Sequence, residues 1–247
     1  MRKLLFIAVV LILVVAGLIG SGYLASQHVD ASYQQALEVE VKVQHERSDA
    51  MLQRAAALSN DLRREGTWKA IFTADQINGW LAVDMIENHP DLLPAEVTDP
   101  RVTITPERLT LFFRYADENV TSILSLVTDI YLDSPNVVAV RFDKARAGVL
   151  PMPMRDVIEH VKEAAAEADL HIEWRQTSGD PVALVHLAPR SADGRFALKL
   201  ESLTLGDGEL FVAGHTEPID PGISTENRTP VRLPSWSHSA SNSSDQR

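Results

Sequence analysis

The chain has 247 residues with 34 acidic and 23 basic side chains, which gives a net charge of −11. A surface of that sign repels nucleic acid and anionic lipid head groups, so no nucleic-acid partner is predicted. The chain contains no Cys, which removes disulfides, thiolate nucleophiles and Cys-based metal sites together.

One apolar run dominates the N-terminus, because residues 4–24 read LLFIAVVLILVVAGLIGSGYL and carry no charged side chain. Roughly 20 such residues are enough for a helix to cross a hydrocarbon core of about 30 Å. Arg2 and Lys3 precede the run, so the positive-inside rule holds the N-terminus in the cytoplasm. We therefore expect a single-pass transmembrane anchor over residues 1–26, with the C-terminal domain outside the cell membrane.

A cleaved secretory signal is the competing interpretation of the same run, with Gly20 and Gly22 as the small residues before the cut. The apolar core of such a signal usually has about 7–15 residues, and small residues follow it. This run is longer, and the bulky Tyr23 and Leu24 stand in the cleavage region. Either interpretation exports the bulk of the chain.

Residues 27–66 are polar, rich in Ala, Gln, Glu and Arg, and poor in turn signals, which predicts helix. Apolar residues recur there at helical spacing: Met51, Leu52, Ala55, Leu58 and Leu62. The alternating segment 37–43 interrupts this pattern and fits either a short strand or an irregular stretch of helix. We interpret residues 27–66 as a helical stalk between the membrane and the domain.

A capping box predicts the start of the next helix, because Thr73 is followed by Gln76 three residues later. Ile77, Trp80, Leu81 and Met85 then share one face, and Pro90 ends the helix. Turn residues separate four predicted strands, at 102–105, 109–115, 120–132 and 137–147. A strongly amphipathic helix is predicted over 154–168, and further strands over 171–176, 182–187, 196–205 and 209–214.

This pattern predicts an α+β fold in which an N-terminal transmembrane helix and a helical stalk precede a curved antiparallel β-sheet packed on an amphipathic helix. The extracytoplasmic domain covers residues 67–216. Residues 217–247 are rich in Pro and Ser, which is typical of a disordered tail.

The segments FTADQINGWL (residues 72–81) and GVLPMP (residues 148–153), together with the order of elements, resemble bacterial membrane-anchored proteins with a "Thr-x-x-Gln-Ile/Leu-Asn" helix, antiparallel strands and a "Leu-Pro-x-Pro" helix. Those proteins are in turn similar to half-modules of the tubular lipid-binding (TULIP-like) superfamily, whose curved sheet wraps a long helix and leaves an apolar groove. The resemblance covers about residues 67–214. It implies a fold and an environment, and no catalytic residue.

The chain has no nucleophile elbow, HExxH, Walker loop or GxGxxG. Its eight His residues are scattered, and none has a spacing to carboxylates that specifies a metal. The neighbouring Glu159 and His160, like Asp156 and Glu159, fit an exposed helix face. We therefore predict no catalytic residue, no metal site, no cofactor and no enzyme.

The strand at 120–132 is apolar on both faces, which predicts that protein, a partner or an apolar ligand covers its second face. The corresponding ligand groove would be lined by five residues: Ile123, Val127, Val157, Val161 and Trp80. Trp80 also fits a simple core position. Two functions follow, namely a non-catalytic module that binds lipid or another apolar molecule, and an interaction or scaffold protein that meets an envelope partner without a ligand.

Overall fold

The computed structural model describes residues 30–90, 93–117, 120–167, 172–177, 179–191 and 193–219. Over these ranges the protein has an α+β fold with two sheets in which all strand pairs are antiparallel. The predicted membrane span at 4–24 and residues 220–247 of the predicted tail lie outside the described residues.

The described helices are α1 (Ala31–Leu37), α2 (Val41–Asp61), α3 (Ala74–Ala82), α4 (Asp84–Asn88) and α5 (Met154–Glu167). The strands are β1 (Gly66–Thr73), β2 (Val97–Thr105), β3 (Arg108–Ala116), β4 (Thr121–Ser134), β5 (Val137–Ala147), β6 (Leu150–Pro151), β7 (Ile172–Thr177), β8 (Asp180–His186), β9 (Phe196–Leu205) and β10 (Glu209–Pro218). The smaller sheet has the order β1-β10-β9. The larger sheet has the order β2-β3-β4-β5-β8-β7, and β6 pairs with β5.

The predicted strands after residue 100 are all present, with ends that differ by a few residues. Two differences matter. Strand β1 was not predicted, because it buries Trp68 and Ala70 while Ile71 is exposed, so its apolar residues do not alternate cleanly. Strand β10 continues to Pro218, beyond the predicted start of the tail at residue 217.

The main core lies where α3 meets both sheets. Val102 and Ile104 of β2 pack with Leu109 of β3 and Leu205 of β9. Half-buried apolar residues surround them: Ala74, Ile77, Leu81, Leu111, Ile130 and Leu210. Ile77 and Leu81, which the helical periodicity places on one face of α3, thus both pack against the core.

The helices predicted as a stalk lie on the folded body. Residues 38–40 are non-helical, so the alternating stretch at 37–43 contains a break between α1 and α2. Helix α1 contacts β2, and α2 contacts α3 and β1. A polar helix carries few apolar residues, and the sequence gives no sign of which surface those few contact.

Helix α5 contacts β5 and presents half-buried Val157, Ile158 and Val161 together with the buried Ala165. Glu159, His160 and Glu163 are exposed, as the amphipathic pattern predicts. The Lys162 amino group lies 5.7 Å from the centroid of the Trp174 ring in β7. That ring stacks on Phe142 of β5, with the two centroids 5.8 Å apart.

Candidate functional site

The capping-box segment at the start of α3 joins three parts of the fold. The Thr73 hydroxyl accepts a hydrogen bond from the Gln76 backbone N–H, and the Gln76 side chain accepts one from the Thr73 backbone N–H, both at 3.1 Å. The predicted capping box is therefore confirmed. One residue before Gln76, Asp75 pairs with Arg47 of α2 at 2.8 Å.

The side-chain amide of Asn78 makes the two hydrogen bonds to Val102 that the backbone of a neighbouring strand would make. Its Oδ1 accepts from the Val102 N–H at 2.6 Å, and its Nδ2 donates to the Val102 carbonyl at 2.9 Å. The next residue, Gly79, leaves room for α2, since a Cβ there would lie 2.5 Å from Arg47 Cβ and 2.6 Å from the Ser48 nitrogen. The segment that carries the family resemblance thus holds α2, α3 and β2 together.

A polar cleft of about 310 Å³ lies beside this segment. It is lined by α1, α2, α3, β2 and the β9–β10 turn, and its lining includes Gln35, Arg47, Asp75, Asn78 and Asp207. Ligand pockets commonly measure about 300–1,000 Å³. The volume of this cleft therefore lies at the lower end of the range for pockets that bind small molecules.

Several polar side chains of the cleft are engaged in contacts within the fold. Arg47 is committed to Asp75, and the Asn78 amide is committed to Val102. Ser32 in the same lining donates both its backbone N–H and its hydroxyl to Asp30, which caps α1. This arrangement offers no activated nucleophile among the described lining residues.

The structure separates the residues predicted to line a groove. Ile123 is 8% exposed and packs with Tyr33 of α1 and Phe112. Strand alternation places Val127 on the same face as Ile123. The register Ile130–Val140–Ala183–Trp174 puts the Trp174 ring, and with it α5, on the opposite face.

Val157 and Val161 of α5 therefore do not meet Ile123 and Val127 across one groove. Trp80 is half-buried on α3, its indole N–H donates to Asp84 at 2.7 Å, and its ring lies 6.4 Å from that of His89. Near it, an apolar hollow of about 150 Å³ is lined by residues that include Met85, Ile86, Leu93 and Val97. Its volume is below the usual range for ligand pockets.

Tyr33 and Arg101 fix α1 over the Ile123 face. The Tyr33 ring stacks on Phe112 with the centroids 5.4 Å apart, and its hydroxyl donates to the Asp99 carbonyl at 3.0 Å. Burial raises the pKa of Tyr33, and Asp99 adds to the effect. The buried Arg101 donates to the Ala36 carbonyl at the end of α1 at 3.2 Å, where a cation also suits the helix dipole. Burial lowers the pKa of this guanidinium.

Sequence reasoning missed Tyr33 and Arg101. The only signals were an aromatic residue in an otherwise polar segment and an Arg directly before the strand predicted at 102–105. Neither pattern indicates that Tyr33 bonds to Asp99 or that Arg101 bonds to Ala36, because each pair is separated by 65 or more residues along the chain.

Titratable clusters lie on the sheet surfaces. His215 contacts Glu201 at 3.0 Å and Glu217 at 3.2 Å, and the hydrogen bond from His215 lowers the pKa of Glu201. Glu159, which borders His160 on α5, is bound by Lys162 at 2.9 Å. Within the described residues no group of three or more His, Asp or Glu has a geometry that could hold a metal ion.

Comparison of the chain with protein-family models, with curated proteins and with solved structures found no significant match. The resemblance to the TULIP-like superfamily therefore stays a prediction from the two short motifs. Among the helices in the described ranges, none combines the length and the apolar composition needed to span a bilayer.

Proposed function

We propose that this protein is a membrane-anchored, extracytoplasmic, non-catalytic module that acts through its surface, as an interaction or scaffold protein of the cell envelope. Residues 4–24 would supply the anchor, and the α+β body with its amphipathic helix α5 would supply the surface. The observation that carries this proposal is the cover over Ile123. The residue predicted to face a ligand lies beneath Tyr33, whose side chain is fully buried.

Two further observations support a surface function. Ile123 and Val127 lie on one face of the larger sheet and α5 on the other, and Arg47 and Asp75 of the polar cleft pair with each other. The acidic chain, with its net charge of −11, favours basic partners over acidic ones.

Native mass spectrometry of the detergent-extracted full chain tests the proposal against lipid binding. We expect the wild-type protein to carry no lipid at one-to-one stoichiometry. The variant Tyr33→Ala is the matched control, because it removes the cover from Ile123 and Phe112 and creates an apolar hollow that can accept a lipid chain.

A wild-type protein that retains one lipid per chain would contradict the proposal. Val127→Trp then separates the remaining explanations. If the lipid lies against the Ile123 face, the larger side chain displaces it, and the protein is the lipid-binding module that the TULIP-like resemblance implies.

A further inference from the structure

The first turn of α1 is fixed to the larger sheet. Asp30 is the N-cap of α1, and its side chain accepts the Ser32 N–H at 2.9 Å. One turn later, Tyr33 packs on Phe112 and Ile123. Asp30 therefore lies about one helical turn from a contact with Ile123, which is the third residue of β4.

The distance from this point to the apolar run is short. Residues 25–29 are the five residues between Leu24 and Asp30. Fully extended chain covers at most about 3.3–3.6 Å per residue, so these residues span no more than about 20 Å in any conformation. If residues 4–24 cross a bilayer, the start of α1 lies within that distance of the membrane surface.

Exposed apolar side chains stand close to Ile123, at the end of the sheet where β4 begins. The Ile123 carbonyl accepts the Gly148 N–H at 2.7 Å, and Gly148 leads directly into Val149 and Leu150. Val149 is 49% exposed, Leu150 39%, and Val120, just before β4, 41%. We name these three residues the apolar tip.

We propose that the apolar tip rests in the interface of the bilayer that residues 4–24 span. This inference rests on the anchoring in the proposed function. The partner is an uncharged, zwitterionic lipid surface, because the tip is apolar and the net charge of −11 is repelled by anionic lipid. Burial of the three side chains removes apolar area from water, and the short linker holds the tip at the surface.

The chain has no Cys, so one introduced Cys gives one labelling position. The full chain is reconstituted into phosphatidylcholine vesicles as Val149→Cys, labelled with an environment-sensitive fluorophore, and exposed to brominated phosphatidylcholine. We expect a blue-shifted emission that the brominated lipid quenches.

Leu187→Cys is the matched control, since Leu187 is apolar and 42% exposed. Its N–H donates to the Asn136 carbonyl at 2.9 Å, at the start of β5. The tip lies at the other end of that strand of 11 residues, about 35 Å away at the usual rise per residue. We expect this label to emit as in water and to resist quenching.

Alkaline extraction of the same vesicles tests the membrane anchor separately from the membrane contact of the apolar tip. If the chain stays in the membrane while the Val149 label emits as in water, or while both labels are quenched equally, the tip proposal is overturned and the anchor stands. If alkali releases the chain, anchor and tip proposal both fail. Leu150→Cys repeats the measurement should the Val149 variant melt at a lower temperature than wild type.

Discussion

Tyr33 is the aromatic residue through which α1 contacts Phe112 and Ile123, and the pKa of its hydroxyl is raised because the side chain is taken out of water. The same hydroxyl donates to the Asp99 carbonyl. Ring and hydroxyl thus contribute separately, the first by burial and the second by one hydrogen bond. Their contributions can be separated by substitution.

We expect Tyr33→Ala to lower the free energy of unfolding by about 3–5 kcal/mol, as the loss of a fully buried aromatic ring does. Tyr33→Phe keeps the ring and loses only the hydrogen bond, so its cost should be about 0.5–1.5 kcal/mol. Urea unfolding of the detergent-solubilised chain measures both. Equal costs for the two variants would contradict the burial assigned to the ring.

The pairing of α2 with α3 depends on the small volume of Gly79. Ala at an internal helix position is favoured over Gly by about 1 kcal/mol. A Cβ at this position meets backbone atoms of Arg47 and Ser48 at 2.8 and 2.6 Å. Backbone does not move aside as a flexible side chain does, and overpacking typically costs about 1–3 kcal/mol.

We therefore expect Gly79→Ala to be destabilising in spite of the gain in helix propensity. Ser59→Ala, on the exposed end of α2, is the control and should change the free energy of unfolding by less than about 0.5 kcal/mol. Thermal melting of the two variants is the measurement. A Gly79→Ala protein that melts above wild type would show that the helices can separate without loss.

The β8–β9 connection contains an Asp whose carboxylate accepts hydrogen bonds from two neighbouring side chains. Asp193 accepts one hydrogen bond from the Ser191 hydroxyl at 2.6 Å and another from the Arg195 guanidinium at 2.7 Å. These two bonds hold the pKa of Asp193 well below its usual range. A lowered carboxyl pKa stabilises the folded state fully above about pH 4, the ordinary carboxyl value. The contribution is lost as pH falls through the lowered pKa.

The melting temperature of Asp193→Asn should accordingly fall furthest below that of wild type near neutral pH. The difference should shrink as pH drops below about 4, because the wild-type carboxylate then loses its advantage. Ser191→Ala removes the first donor and should show a smaller difference with the same pH trend. A gap that widens towards acid pH would refute the assigned direction.

Local sequence patterns predicted most helices and strands, but they did not predict which distant strands pair. Gly206, Asp207 and Gly208 signal the β9–β10 hairpin because a turn needs residues that tolerate positive φ, and Gly208 has φ 73°. No local signal pairs β1 with β10, because the strands of the larger sheet lie between them along the chain. The two-sided apolar pattern of residues 120–132 shows that a cover is needed, yet the identity of that cover, Tyr33, depends on a contact across the fold.

For the candidate site, the sequence indicated the residues of the α3 segment and left their partners open. Thr73 and Gln76 cap a helix through contacts three residues apart, so their role is readable locally. Asn78 and Gly79 act on β2 and α2, and their partners are visible only once the helices are packed.

At the scale of the whole molecule, the topology of the chain is a prediction that a fusion can test. We expect a reporter that works only outside the cytoplasmic membrane to be active when it is fused after Arg247 of the wild-type chain. Replacing Arg2 and Lys3 with Glu should reduce correct insertion and therefore reporter activity, because these cations set the orientation. Activity of a cytoplasmic reporter at the same position would contradict the topology.

The two hydrogen bonds from the Asn78 amide to Val102 also bear on whether copies of the chain can join through their sheet borders. Strand β2 forms one border of the larger sheet, and an unpaired border is a template for strand addition by another copy. Here Asn78 occupies both backbone groups of Val102, and the Gly208 N–H occupies the Ile104 carbonyl. At the other border, β7 carries the charged Glu173 and Arg175, which disfavour close approach of a second strand. Both borders of the larger sheet thus carry features that disfavour strand addition by a second copy.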